Sequence, residues 1–372
     1  MSPRPERPDP VTGVRFREAM PRYADKNRNT VAAQVRFEVV AADVLEFDAE
    51  VVVLKHADGF YGVEEAVQER LEGAGLSSAS LAIPKGKTEF MASRGHVKAA
   101  YLLVVGVGPL FEFRYREIRE FAHRAMATLA VAAPATTHCA MTLHGAGYGL
   151  DEIEAFESEI AGLVDAINAQ QFPGALRRIS IVERDAGRAR RLSKALEGLL
   201  PSGHVVTDIR AFMQEEEEVS GARLRSAGYA SDGKPYVFVA MPFRKETDDT
   251  YEYGIQNAVR ASGFVCERAD LSVFTGDVME WVKQRIKSAS LVVADLTDAN
   301  PNVYLEVGYA WGAGVPTVLL VRDQGTLKFD VRGQRCLPYD RIKDLEIALT
   351  KELSALGKGM HAQPQQRGQL RT

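Results

Sequence analysis

Cysteine is scarce: the 372 residues hold three, Cys139, Cys266 and Cys336, far apart and odd in number. They build neither a disulfide framework nor a metal-ligand spacing, so a reducing compartment is the simpler expectation. Excess basic charge is absent too. Lys and Arg number 46 against 50 Asp and Glu, a net charge of −4. That argues against coating duplex nucleic acid, and no nucleic acid is expected as a partner. Long apolar runs are missing. The longest weakly charged stretch, between Arg124 and His144, contains Pro134, Thr136, Thr137 and His138. It reads as a buried helix and strand rather than a membrane span, so no membrane partner is expected. The opening MSPRPERPDPVTG lacks the apolar core of a signal peptide, and a cytoplasmic location is expected. With 31 glycines and 16 prolines, near average usage, collagen and wholesale disorder are also excluded.

What is present is ordinary globular composition, 46% apolar and 26% charged, in a chain long enough for two domains. Residues 1–30 read as a flexible tail. From Gln34 an α/β alternation begins: Val35, Phe37 and Val39 alternate with Arg36 and Glu38, a half-buried strand. Buried strands follow at 50–54, 101–105, 139–143 and 178–182. Helices are expected over 63–71, 114–132, 151–169 and 186–200. This is a mixed-sheet α/β domain over 34–204. Residues 205–234, with the acidic run Glu215–Glu218 and a Gly, Ser and Ala-rich stretch, read as a solvated linker.

A second unit over 235–357 repeats the style. Strands at 236–240, 264–267, 291–294 and 317–321 alternate with helices at 249–261, near 278–286, 303–312 and 345–356. That pattern implies parallel βαβ units in a flavodoxin-like, doubly wound sheet. Residues 358–372 read as a loose tail.

In such a sheet ligands lie beyond the carboxyl ends of the first and third strands. Here those ends carry Met241, Pro242, Phe243 and Arg244, and Asp295 through Asn302. Asn300 suits a helix N-cap and Pro301 the first helical position. One turn in, Glu306 shares a flank with Asn302. A carboxylate there suits an N-glycosidic reaction, whose oxocarbenium-like transition state it can stabilise or attack. Asp295 is placed to hold sugar hydroxyls or to shift the pKa of Glu306. Backbone N–H groups at the helix start suit a phosphate.

The segments Val237–Phe243, Ser290–Leu296, Asn300–Ala310 and Val315–Leu320 resemble the nucleoside 2-deoxyribosyltransferase superfamily, whose architecture is close to Toll/interleukin-receptor-like domains. Phe329-Asp330-Val331 and Tyr339-Asp340 fit the same pattern. The resemblance implies Glu306 as the catalytic carboxylate, Asp295 beside the ribose, and a homo-oligomer that completes the site. Transferases carry a further Asp six residues before the catalytic Glu. Here that residue is Asn300, which points away from free-deoxynucleoside transfer.

The first unit resembles a macro domain of the type found at the amino terminus of leucine aminopeptidases. The carrying residues are Ala42–Val44, Ala49–Leu54, Asp58–Val67, Val104–Pro109 and His144–Leu150. The resemblance implies that Asp43 contacts adenine. It also implies that two loops, with Asp58, Gly59, Gly62 and Val63 in one and Gly145, Gly147, Tyr148 and Gly149 in the other, clasp a diphosphate and ribose. The family's asparagine run is replaced by Leu54-Lys55-His56-Ala57, so ADP-ribose hydrolysis is not expected. His56 is read as a structural histidine, with no metal.

Together these readings give an expected nucleotide-signalling effector. The first unit would sense an ADP-ribose-like or other small nucleotide. The second would cleave an N-glycosidic bond in NAD or a related nucleotide, without a prosthetic group. A role in bacterial antiphage defence is expected by analogy. In the expected active site Met241, Pro242 and Phe243 wall the base, Arg244 meets phosphate, and Asn302 and Asp295 place ribose hydroxyls. The alternatives are a nucleoside 2-deoxyribosyltransferase, an N-glycosidase acting on deoxynucleotides, or a non-catalytic nucleotide-binding module.

Overall fold

The structure, a computed structural model, describes residues 34–59, 62–73, 82–206, 218–242, 244–268 and 278–361. The chain opens with β1 (Gln34–Ala41), β2 (Val51–His56) and α1 (Val63–Gly73). Then come β3 (Thr88–Ala92), β4 (Tyr101–Gly106), α2 (Tyr115–Ala132) and β5 (His138–Met141). α3 (Glu152–Asn168), β6 (Arg178–Glu183), α4 (Ala186–Leu199) and β7 (His204–Val206) complete the first part. These strands make one seven-stranded sheet in the order β3-β4-β2-β5-β6-β1-β7. The five inner strands run parallel, while β3 and β7 are antiparallel edges. Every residue of β2 is buried, as a central parallel strand covered on both faces requires.

The second part contains α5 (Glu218–Ser226), β8 (Tyr236–Ala240) and a composite helix. That helix is α6 (Lys245–Asp249), a seven-residue π-helical segment (Thr250–Gln256) and α7 (Asn257–Ala261). β9 (Val265–Glu267), α8 (Val278–Ser288), β10 (Leu291–Asp295) and α9 (Pro301–Gly312) follow. β11 (Thr317–Val321), β12 (Cys336–Pro338) and α10 (Ile342–His361) end it. All five strands are parallel, in the order β12-β11-β10-β8-β9. In order of appearance this is 2-1-3-4-5, the flavodoxin-like winding expected from the alternation.

Both sheets lie in one compact unit. A continuous apolar core joins α2, α3 and the first sheet to the face of the second sheet that carries Phe238 and Ala294 and to the helix residues Val303 and Val307 packed on it. A separate cluster fills the opposite face of the second sheet, under Ile255, Val259, Leu345 and Leu349. A third packs α1 on the first sheet.

The described part of the expected linker is not a solvated run. α5 buries Leu224, followed by buried Ala227. The Arg119 guanidinium donates to the carbonyls of Leu224, Arg225 and Ala227. Those carbonyls need partners at a helix end, and an arginine of α2 supplies them. Lys234 Nζ and Ser231 Oγ both reach Glu154. The acidic residues 215–217 lie outside the described residues, as do the terminal tails 1–33 and 362–372.

Polar contacts tie the two sheets together at one edge. Asp151, the N-cap of α3, accepts from Ile153 N and Glu154 N. The same carboxylate accepts from the Arg260 guanidinium at 2.8 and 3.0 Å and from Cys266 N at 3.2 Å. Tyr115 Oη donates to Glu267 Oε1. Arg191 binds two carboxylates at once, Glu152 of α3 and Glu252 of the π-helical segment.

Candidate functional site

In the first sheet the winding reverses between β2 and β5, because β4 lies on one side and β6 on the other. A cleft of about 670 Å³ opens there, at the carboxyl ends of the parallel strands. Its walls are Ala42–Val44 after β1, Lys55 in β2, Gly62–Ala66 at the start of α1, and Thr142–His144 after β5. Gly147, Tyr148, Val182–Arg184 and Arg188 close it.

Of the residues expected to bind a nucleotide here, Asp43, Gly62, Val63, Gly147 and Tyr148 line the cleft, while Asp58, Gly59, Gly145 and Gly149 do not. Asp43 Oδ1 accepts from Leu45 N and Oδ2 from Arg184 Nη2, both at 3.0 Å. Gly62 has φ of 61°, and a Cβ there would stand 3.2 Å from Tyr148 Oη. Gly145 serves packing. Its φ is 90°, and a Cβ would meet Ile118 and Leu150 at 2.8 Å. Residues 60–61 lie outside the described residues.

The cleft also has charged lining residues that no sequence motif marks. Lys55 Nζ lies 3.1 Å from Glu64 Oε2, with both side chains buried, and 5.0 Å above the Tyr148 ring. His144 Nδ1 is 3.2 Å from Glu159 Oε2, and His144 N donates to the same oxygen at 3.0 Å. The available signal was a lysine inside a strand buried at every position, which demands a counter-charge. His56 Nδ1 is 3.0 Å from the Ile83 carbonyl. Among the described residues no group of three or more His, Cys, Asp and Glu could hold a metal ion. No described helix is long and apolar enough to cross a membrane.

The second sheet brings the other expected residues to the ends of β8 and β10. Asn300 caps α9, its side chain accepting from Asn302 N at 2.9 Å, and Pro301 follows at the first helical position. The backbone N–H of Asn302, one of those expected to meet a phosphate, is therefore already engaged. Val303, Glu306, Val307 and Ala310 are the buried positions of α9. Glu306 is only 7% exposed, and burial alone pushes its carboxyl up to about 8. Asp295, expected as a source of that shift, makes no contribution to it. Among the described residues no hydrogen bond or ion pair reaches the Glu306 carboxyl.

Asp295 is instead fully engaged in the strand end. Its Oδ1 accepts from Thr297 N and Oγ1, and its Oδ2 accepts from Tyr339 Oη at 2.8 Å. Burial first, and then the Asp295 charge, push the Tyr339 hydroxyl up to about 12, so it stays a donor. Arg322 stacks 4.9 Å from the Tyr339 ring centre and donates to Thr250 Oγ1. Met241 and Pro242 are buried at the end of β8. Arg244, expected to meet phosphate, forms an ion pair with Asp298 at 3.0 Å. Phe243 lies outside the described residues.

No protein-family model matches the chain, and no curated protein matches it. Solved structures do. The CMP N-glycosidase BcmB of Clostridium botulinum is 18% identical and covers 32% of this chain and 98% of its own, with a TM-score of 0.28. A macrodomain variant of Oceanobacillus iheyensis with ADPR is 16% identical, covers 45% and 100%, and has a TM-score of 0.34. The Trypanosoma brucei macrodomain in complex with ADP is 15% identical, covers 43% and 69%, and has a TM-score of 0.33.

Proposed function

We propose that the chain is a nucleotide-responsive N-glycosidase. The cleft of the first sheet takes an ADP-ribose-like nucleotide, and Glu306 of the second sheet serves cleavage of the bond between a base and ribose C1′, with NAD as the leading substrate. One observation carries the reading: a buried carboxyl in the helix that follows the central strand of a doubly wound sheet, with no basic partner among the described residues. An unpaired buried carboxyl is costly to the fold, and such groups concentrate where chemistry needs them.

NAD fits this carboxyl by charge. The nicotinamide ring nitrogen is formally cationic, so a bound substrate supplies the counter-charge that draws Glu306 into its carboxylate form. The C1′–N bond breaks with its electron pair passing to the ring nitrogen, which leaves neutral nicotinamide. The ribosyl cation is met by Glu306 and then by water, whose proton goes to solvent. The products are nicotinamide, ADP-ribose and one proton. A neutral base makes a poorer leaving group. The raised pKa also supports a second reading, in which protonated Glu306 donates to a departing neutral base.

The test is to incubate the full chain with NAD, with and without ADP-ribose, and to assay free nicotinamide. Turnover by the wild type and its loss in folded Glu306→Gln is the expected result. An intact NAD pool, together with an intact panel of nucleotides and deoxynucleosides, would leave a binding module as the better account.

A further inference from the structure

The cleft of the first sheet and the candidate site of the second are joined by a line of ion pairs that the sequence reading did not foresee. Arg188 lines the cleft, and its guanidinium is shared between Glu183 at 3.5 Å and Glu152 at 3.4 Å. Its Nε is buried with no hydrogen-bond partner among the described residues. Glu152 in turn receives Arg191 at 2.7 and 3.1 Å, and Arg191 reaches across to Glu252 at 2.6 and 2.8 Å. Glu252 belongs to the π-helical segment Thr250–Gln256.

That segment is the natural receiver. A π-helical stretch closes its hydrogen bonds one residue further along than its α-helical flanks, i→i+5 against i→i+4, and is found frequently at functional sites. Ile255 anchors its inner side in the apolar cluster of the second sheet, and three arginines hold its polar side. Glu252 meets Arg191, Tyr251 lies under the Arg268 guanidinium at 3.9 Å, and Thr250 Oγ1 accepts from Arg322. Arg322 stacks on Tyr339, the donor to Asp295. On its other side the segment leads through α6 to Pro242, whose carbonyl accepts from Thr247 Oγ1. A change of helical register at 250–256 would therefore act on both Pro242 and the Asp295 support. Asp151, which accepts from Arg260 and from Cys266 N, ties α3 to β9 at the edge between the sheets.

Resting on the nucleotide reading of the cleft, we infer that an anionic group of the ligand captures Arg188, and that Glu152, Arg191 and Glu252 pass this on to the π-helical segment. Occupancy of the first sheet's cleft thereby sets the geometry of the second sheet's site. The anion competes with Glu152 for Arg188. Once Arg188 is taken, Glu152 is left to Arg191 alone, and the Arg191–Glu252 pair is re-weighted. This supplies the differential contact between two states that coupling requires.

The test is amide hydrogen exchange on the full chain, in two arms. Without ligand, Arg188→Ala and Glu252→Gln each change exchange across 250–256 at least fivefold, and the double variant changes it no more than the larger single. Arg188→Gln, which keeps the side-chain stem, replaces Arg188→Ala if the latter lowers the yield of folded protein. With saturating ADP-ribose, the wild type shows a change at 250–256. Glu252→Gln binds ADP-ribose within threefold of the wild type but shows no change. Single effects that simply multiply would overturn the relay, as would bound ADP-ribose that leaves 250–256 untouched. Failure of ADP-ribose to bind would count against the nucleotide reading of the cleft, while the ligand-free arm still decides the relay.

Discussion

Lys55 and Glu64 close an ion pair at 3.1 Å with their side chains 2% and 7% exposed, in the wall of a cleft that opens to solvent. Removing one partner strands the other charge in a poorly solvated place. Lys55→Met is expected to cost about 3–5 kcal/mol, and Lys55→Met with Glu64→Leu to recover most of that loss. Urea denaturation of both variants checks it. Equal losses in the single and double variants would mean that the charge is solvated through the cleft.

Glu306 ties stability to pH in the opposite sense to an ion-paired carboxylate. Burial raises its folded-state pKa to about 8 from an ordinary 4.5. Between those values the folded protein keeps a proton that the unfolded chain has released, so stability falls as pH rises through the window. The full penalty above pH 8 is on the order of 5 kcal/mol. Glu306→Gln is expected to be nearly neutral at pH 5 and stabilising by several kcal/mol at pH 9. Thermal melts of both proteins at the two pH values decide it. A constant difference would show that the carboxyl is solvated in solution.

The same titration separates the two chemical readings. With NAD, cleavage that needs the carboxylate rises with pH through the Glu306 pKa of the complex. With a neutral nucleotide that needs an acid, it falls over the same range. Initial rates at saturating substrate from pH 6 to 9 give the direction. A flat profile for both substrates would remove Glu306 from the proton inventory.

Much of this was legible in the sequence, for local reasons. The alternation of buried strands and amphipathic helices gave the 2-1-3-4-5 winding, and Asn300-Pro301 placed the start of α9. The edge strands β3 and β12 were not legible, because neither contains a fully buried residue that would mark it as an apolar run. The π-helical segment was not either: Thr250–Gln256 has no composition that sets it apart, and its contacts to Arg191, Arg268 and Arg322 come from elsewhere in the sequence. Ser220–Pro235 misled for the same reason, since Arg119 and Glu154 lie far away in sequence. A shifted pKa at Glu306 was expected from the neighbouring Asp295, whereas burial alone produces it.

Tyr339 holds Asp295 from a different strand connection. Tyr339→Phe removes the donor to Oδ2 and leaves the Thr297 contacts to Oδ1 intact. A hydrogen bond to a charged acceptor is worth about 1.5–3 kcal/mol, so a roughly tenfold or greater loss in kcat/KM is expected if Asp295 places the ribose. Separate kcat and KM values locate the loss. Unchanged kinetics with lowered stability would make Asp295 a strand-end cap alone.

Asp151 is where the fold of one sheet becomes a condition for the other. A single carboxylate caps α3, accepts from the β9 backbone and binds Arg260. Asp151→Ala removes a helix cap worth about 1–2 kcal/mol and leaves the Arg260 guanidinium and Cys266 N without their acceptor. Asp151→Asn keeps the cap and loses the charge. If the carboxylate couples the sheets, calorimetry should show one transition in the wild type and two in Asp151→Ala, with Asp151→Asn in between. A single transition that merely moves to lower temperature in Asp151→Ala would confine the residue to its helix. The shared apolar core, which runs from α3 to Val303 and Val307, would then be what joins the halves.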